Sequence, residues 1–236
     1  PNDLSSWEGL RVASESIGDH TTRGVALAQL GNLVTDDARA AELWEEAGLV
    51  LLEHTQAQDD AEIALQRALE RDRTRFVAFD KLFRRLRKRK DNDRLLGLID
   101  MRLEVTEDAA EVTKMYWERA RVYRELGDND RALKSLKDVT MLEPDHVGAL
   151  ALAGEISIKK GDFAGAAPLL ARLATLDDAP RKQRLLSGIA AVDLFEKRLD
   201  APQDALTVLV QLYRDGLSTL KVRERLARTA ARVGRW

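Results

Sequence analysis

Histidine is the side chain best suited to proton transfer or metal binding near neutral pH, and this chain has three. His20, His54 and His146 are far apart in sequence. No two stand four residues apart, the spacing that sets two imidazoles on one helix face for a metal. Each falls near a turn and is expected to be an exposed turn residue. There is no cysteine, so thiolate nucleophiles, zinc–thiolate sites and disulfides are excluded. The glycines of "GDFAGAAP" (161–168) lack both the GxxxxGK[ST] spacing and a preceding strand, so they read as turn and close packing rather than as a phosphate cradle. Carboxylates are plentiful, as on any solvated helix, and no pair stands out from that background. The sequence offers no catalytic residue, no cofactor-binding residue and no metal ligand set, and an enzyme is not expected.

Charge is more informative. Residues 1–70 hold fourteen acids and four bases, residues 71–90 hold two acids and ten bases, and the remainder carries 24 of each. The basic excess is therefore confined to "RDRTRFVAFDKLFRRLRKRK". Within it Phe79, Leu82, Phe83 and Leu86 form an apolar stripe at helical spacing. Lys81, Arg84 and Lys88 form a second stripe, i, i+3, i+7, on another side. Further on, Trp117, Arg121 and Arg124 are spaced i, i+4, i+7, set off from a packing stripe of Tyr116, Ala120 and Tyr123. A tryptophan beside guanidinium groups suits an extended peptide that carries acidic or aromatic residues, because arginine forks onto carboxylates. The competing reading is structural: Glu42, Glu45, Glu46 and Glu53 precede the basic segment and could pair with Lys81, Arg84 and Lys88. Nucleic acid is the alternative ligand for the basic helix 74–90, but a single patch on a chain of net charge −2 is a narrow footprint for phosphate neutralisation.

Those residues must be positioned by helices. The chain has 44% hydrophobic residues, 33% charged residues and only five prolines, a balance that favours helix throughout. No apolar run is long enough to cross a membrane, and no segment has the form of a signal peptide. The expectation is no membrane insertion and, with the compartment otherwise open, a cytoplasmic location. Arginine outnumbers lysine 27 to 11, which hints at a bacterial source.

The elements recur. "DNDR" occurs at 91–94 and again at 128–131. Taking Gly127 as a turn, Ala132, Leu136 and Val139 follow it at fixed offsets. Gly161 is followed in the same way by Ala166, Leu170 and Leu173, and Lys90 by Leu95, Ile99 and Arg102. Gln56 is followed by Ala61, Leu65 and Ala68. Asp200 and Gly234 continue the series, at successive intervals of 34, 37, 34, 39 and 34 residues. The half-unit before each turn joins large and small residues: Trp44 with Ala47 and Gly48, Tyr116 with Ala120, Leu150 with Ala153 and Gly154. Small residues at these places let two helix backbones approach closely.

This pattern resembles the tetratricopeptide repeat family, whose unit is a helix pair of about 34 residues. The resemblance is strongest over 109–178, good over 37–105 and degenerate at both ends. It implies an all-α, right-handed superhelical solenoid of antiparallel helix pairs. On this reading residues 1–236 form one array of about six pairs and a final unpaired helix, expected to be a segment of a longer chain. Helices are expected near 4–17, 20–34, 37–55, 58–71, 74–89, 92–105, 109–126, 129–142, 146–160, 163–176, 181–198, 202–214 and 218–233. An ordinary helical bundle, and the pentatricopeptide and Sel1-like repeats, are the alternatives. Arg102 and Arg119 occupy places where the family prefers apolar or small residues. Lys90, Gln56 and Asp200 replace the turn glycine, where looser or longer turns are expected. Thr106, Asp108 and Asp178 are candidates to accept a hydrogen bond from the free amides of a helix start. The final helix would expose Leu220, Leu226, Ala227 and Ala230.

In the family the first helices of successive units line a concave groove where partners commonly bind. The resemblance therefore places Lys81, Arg84, Lys88, Trp117, Arg121 and Arg124 in such a groove. It implies a non-enzymatic scaffold for a protein or peptide partner with no cofactor, and the basic stripe adds the expectation of an acidic one. The subtype that clamps a carboxylate tail is not supported, because Asp80, Arg84, Glu118, Gly148 and Leu152 stand in the corresponding region.

Overall fold

The computed structural model describes residues 3–234, which form thirteen helices and no strand. In chain order these are α1 (Leu4–Ile17), α2 (His20–Leu33), α3 (Asp37–His54), α4 (Gln58–Arg71), α5 (Phe76–Arg89), α6 (Asn92–Val105), α7 (Ala109–Glu125), α8 (Asn129–Leu142), α9 (Val147–Lys160), α10 (Phe163–Thr175), α11 (Arg181–Lys197), α12 (Pro202–Arg214) and α13 (Leu220–Val233). They divide into two compact units, the first reaching residue 108 and the second starting at 109. The first unit holds the pairs α1/α2, α3/α4 and α5/α6. The second holds α7/α8, α9/α10 and α11/α12, followed by α13. Every helix expected from the sequence is present, with ends within two residues of expectation.

Four of the pairs are closed by one device. The first helix ends on a residue in the left-handed region, and the next residue is an aspartate that caps the second helix. The left-handed residues are Gly18, Lys90, Gly127 and Gly161, with φ of 73°, 57°, 77° and 78°. The following amide donates back five residues each time: Asp19 to Ser14, Asp91 to Leu86, Asp128 to Tyr123 and Asp162 to Ser157. Each aspartate then accepts from the amide three residues on, that of Thr22, Arg94, Arg131 or Gly165. Free carbonyls at the end of one helix and a free amide at the start of the next are thus satisfied in a two-residue hinge. The repeated DNDR is this hinge. Lys90 does not loosen the turn, contrary to expectation; it takes the glycine conformation, at the cost that a Cβ imposes there.

The other substitutions behave differently. At the α3–α4 joint the Thr55 hydroxyl donates to the Leu51 carbonyl and accepts from the Ala57 amide, and the Gln58 side chain donates to the Leu52 carbonyl. Side chains there do the work of the hinge. Asp200 adopts φ 46° within a longer connection. Thr106, expected at a helix start, is the C-cap of α6, its backbone amide donating to the Arg102 carbonyl. Asp178 is not a cap: Pro180 occupies the position before α11, and no side chain caps that helix.

Within the α3/α4 and α9/α10 pairs, close approach depends on small residues. A Cβ on Gly48 would lie 2.7 Å from Leu65 Cγ and 3.1 Å from the Leu65 backbone nitrogen, and one on Gly154 would lie 2.8 Å from Leu170. The two arginines that break the family pattern are accommodated by aromatic faces. Arg102 is buried with its guanidinium 5.4 Å from the Phe76 ring centre and 5.3 Å from that of Phe79. Arg119 lies 4.8 Å from the Tyr116 ring centre and donates to Ser135 and Asp138. Such stacking suits guanidinium, which is weakly hydrated and planar.

Candidate partner-binding surface

The basic segment 71–90 supplies α5 and its approach. Phe79, Leu82 and Leu86 are buried, so the opposite side of the helix carries the charge. Most of that charge has a partner. Arg71 pairs with Asp37, Arg73 with Glu104, and Arg85 and Arg89 with Glu62. Lys81 Nζ lies 2.8 Å from Glu53 and holds that carboxyl below its usual value by hydrogen bond and charge. Arg84 meets Asp80 on its own helix at 3.0 Å, yet its side chain is 76% exposed. Lys88 and Lys90 are exposed and have no ion-pair partner among the described residues.

Of the four glutamates expected to neutralise the stripe, Glu53 alone does so. Glu42 pairs with Arg39, and Glu46 with Arg23. Glu45 is buried, accepts from Arg75 at 2.5 Å and also accepts the Ala78 amide at 3.0 Å. It therefore caps α5 from the neighbouring helix α3, at an N-terminus whose own cap residue, Arg75, offers no acceptor. Nothing in local spacing could announce a cap contributed from thirty-three residues away. The same is true of Glu62, a buried carboxylate whose Oε1 accepts from Arg85 and, at 2.8 Å, from Arg89, and whose Oε2 accepts from Arg94 at 3.0 Å. Burial pushes this carboxyl up, and the hydrogen bonds from Arg94, Arg85 and Arg89 outweigh that and hold it below the usual carboxylate range.

In the second unit, Trp117 of α7 reaches across to α9. A Cβ on Gly148 would lie 3.0 Å from the indole, so the glycine forms the seat of the ring. The His146 ring packs against the indole with centres 5.0 Å apart. Its Nδ1 accepts the Ala149 amide at 3.0 Å, which makes His146 a half-buried helix cap rather than the exposed turn residue expected. Arg121 pairs with Glu118 at 2.7 Å, and Arg124 lies 3.6 Å from Glu155, which Lys159 also contacts. Trp117 and Arg124 thus meet α9, while Arg121 pairs within α7. Ile158 and Leu186, on α9 and α11, are exposed apolar residues of the same unit.

His20 and His54, from different helix pairs, are brought together: their rings stack with centres 4.1 Å apart and planes 19° from parallel. Nearly parallel planes keep the in-plane lone pairs from converging on one ion. Among the described residues no group of three or more His, Asp or Glu side chains is placed to hold a metal, and no helix is long and apolar enough to cross a membrane.

Residues 118–180, which include the paired guanidinium groups of α7 and all of α9, match the sequence profile described as tetratricopeptide repeat. The C-terminal part of a TPR repeat-containing protein from Cytophaga hutchinsonii superposes with a TM-score of 0.52 at 14% identity, over 95% of this chain and 88% of that one. Residues 118–180 thus carry tetratricopeptide repeats, and the chain has the fold of tetratricopeptide-repeat structures. Other repeat structures are similar at lower scores. PilF of Pseudomonas aeruginosa has a TM-score of 0.48 at 15% identity over 95% of this chain and 97% of its own. YrrB, described as a TPR protein with an unusual peptide-binding site, has 0.49 at 14% over 78% and 90%. No curated protein matches the sequence. The two arginines that depart from the repeat pattern, and the lysine in place of a turn glycine, are accommodated without a change of fold.

Proposed function

We propose that this repeat protein is a non-enzymatic interaction scaffold that binds an acidic peptide or protein segment on the faces of its first helices. The observation that carries the reading is the α5 stripe, on which Arg84 is 76% exposed and Lys88 is exposed without a partner. Arginine and lysine side chains on a rigid helix offer charge-assisted hydrogen bonds to carboxylates without prior rearrangement. On the second unit, Trp117 seated over Gly148 offers a fixed aromatic surface beside Arg121 and Arg124. A partner carboxylate there competes with Glu118 and Glu155, so that face favours a peptide bearing apolar or aromatic residues between its acids.

The alternative, nucleic acid on the basic helix, is less well supported, because internal carboxylates consume most of the positive charge of 71–90. Affinity capture with an immobilised Glu-rich peptide containing aromatic residues tests the proposal. Wild-type protein is expected to bind, the triple variant Lys81→Glu, Arg84→Glu, Lys88→Glu to lose capture, and both to give the same helical circular dichroism. Undiminished capture of the triple variant would sink the α5 assignment. Binding to duplex DNA with a steep dependence on salt would favour the alternative.

A further inference from the structure

A second surface lies on the second helices of the first unit, away from the α5 stripe. Gly24 brings α2 down onto Leu51 of α3, since a Cβ there would lie 2.5 Å from that side chain, and Gly48 brings α4 down in the same way onto α3. The two second helices flank α3 and leave a groove of about 280 Å³ between them, floored by Trp44 and Leu51. Its lips are Val25 of α2, 46% exposed, and Ile63 of α4, 55% exposed. Ala28 lines the α2 wall, and Asp60 is the one charged residue of the lining. The Asp60 carboxylate has no ion-pair partner among the described residues, whereas its neighbour Asp59 meets Arg89 at 3.0 Å. The dipole of α4 favours an acid in its first turn, but it gives no reason for the apolar lips beside it.

The next groove along, of about 260 Å³ between α4 and α6, is a control within the same fold. It is floored by Leu82 and Leu86, and its rim is already satisfied: Arg94 bonds Gln66 and Glu62, and Glu70 pairs with Arg67. The α2–α4 groove differs in having an apolar mouth and a carboxylate left over.

We infer that the α2–α4 groove docks an amphipathic helix of a partner protein, which inserts an apolar side chain over Trp44 and Leu51 and sets a lysine or arginine against Asp60. The volume lies just below the range of about 300–1,000 Å³ typical of small-molecule sites and suits a side-chain anchor. Charge selects the sign of the partner: Asp60 is a carboxylate at the groove without an ion-pair partner among the described residues, and the first unit as a whole, residues 1–108, holds 22 acids against 16 bases, so a basic helix is favoured over an acidic one. This surface is independent of the α5 stripe and of opposite charge preference, so the scaffold presents two faces for partners of opposite sign.

The probe is a fluorescently labelled amphipathic peptide of leucine and lysine, compared with the same peptide carrying glutamate for lysine. The lysine peptide is expected to bind and the glutamate peptide not to. Asp60→Asn is expected to weaken binding several-fold, and Ala28→Phe, which fills the groove, by about tenfold or more. Ile63→Asp, at an exposed lip where folding is not at stake, is expected to weaken it likewise. Equal binding of the lysine peptide to the wild type and to either groove variant overturns the proposal, as does binding of the glutamate peptide. Concentration-dependent dimerisation in sedimentation, lost in Ile63→Asp, would assign the groove to a second copy of the chain and overturn the partner assignment.

Discussion

The two units solve the same problem with opposite charges. In the first, a buried carboxylate, Glu62, is enclosed by Arg85, Arg89 and Arg94. In the second, a buried guanidinium, Arg184, is enclosed by acceptors: it donates to the Ala174 carbonyl at 3.1 Å, to Asp177 at 2.9 Å and to Asp215. Both join a first helix to neighbouring elements at a place where the helix pair leaves a polar gap. The difference is in what can be titrated. The hub of the first unit is an acid that can be neutralised; the hub of the second is an arginine that stays charged at any pH a protein survives. Part of a charge run that reads as a ligand surface in sequence, Arg85 and Arg89, is therefore the shell of one internal acid.

Removing the hubs separates the two cases. Glu62→Ala leaves three arginines facing an empty buried site and is expected to destabilise the first unit by about 3–5 kcal/mol, as when one partner of a buried ion pair is lost; urea denaturation measures it. A loss below about 1 kcal/mol, the range of exposed ion pairs, would mean that the network behaves as an exposed one. Arg184→Met keeps much of the aliphatic packing and removes the donors, leaving Asp215 with the Gln211 side chain at 2.8 Å as a remaining donor. A smaller cost of about 2–3 kcal/mol is expected there. If Arg184→Met costs more than Glu62→Ala, the comparison is inverted and the second hub is the stronger.

Acid sharpens the contrast. The folded-state value of Glu62 is lowered, so its contribution is fully present above the ordinary glutamate value, about 4.3, and is lost as pH falls through the lower folded value. Thermal melts of the wild type at pH 7, 5, 4 and 3 should show that loss, and Glu62→Gln should flatten it. Asp193 and Glu196 also have lowered values, each pushed up by burial and brought down further by hydrogen bonds that include Arg225. A residual acid limb is therefore expected in Glu62→Gln; an unchanged limb would remove Glu62 from the account.

The smallest effect concerns the two copies of DNDR. Lys90 and Gly127 hold the same left-handed conformation, which costs a residue with a Cβ about 1–2 kcal/mol relative to glycine. Part of that is offset by the greater freedom glycine has in the unfolded chain. Lys90→Gly should thus raise stability by up to about 1 kcal/mol, and Gly127→Lys should lower it. No change at either position would mean that the hinge tolerates a side chain freely.

The helices and their pairing were legible because each depends on local order: an apolar stripe at helical spacing, a small residue at the crossing, an aspartate after the turn. Lys90 was misread as a loose turn because residue type reports the cost of a conformation, not whether neighbours can bear it. The candidate surface was legible in part. The Lys81–Arg84–Lys88 spacing correctly puts these residues on one side of a helix, but their partners come from other pairs. Glu53 reaches Lys81, while Glu45 turns inward to cap α5. Histidines in separate helix pairs gave no hint of a stacked pair, since His20 and His54 meet only through the packing of α2 on α3.

By itself, then, the sequence determined the number, ends and repeat register of the helices, because hydrogen bonding, capping and apolar periodicity act within a few residues. Only the tertiary structure decided which charges are spent inside and which face outward. Ion pairs between residues about thirty apart, such as Arg89 with Asp59 or Arg75 with Glu45, depend on side chains that meet when neighbouring helices pack.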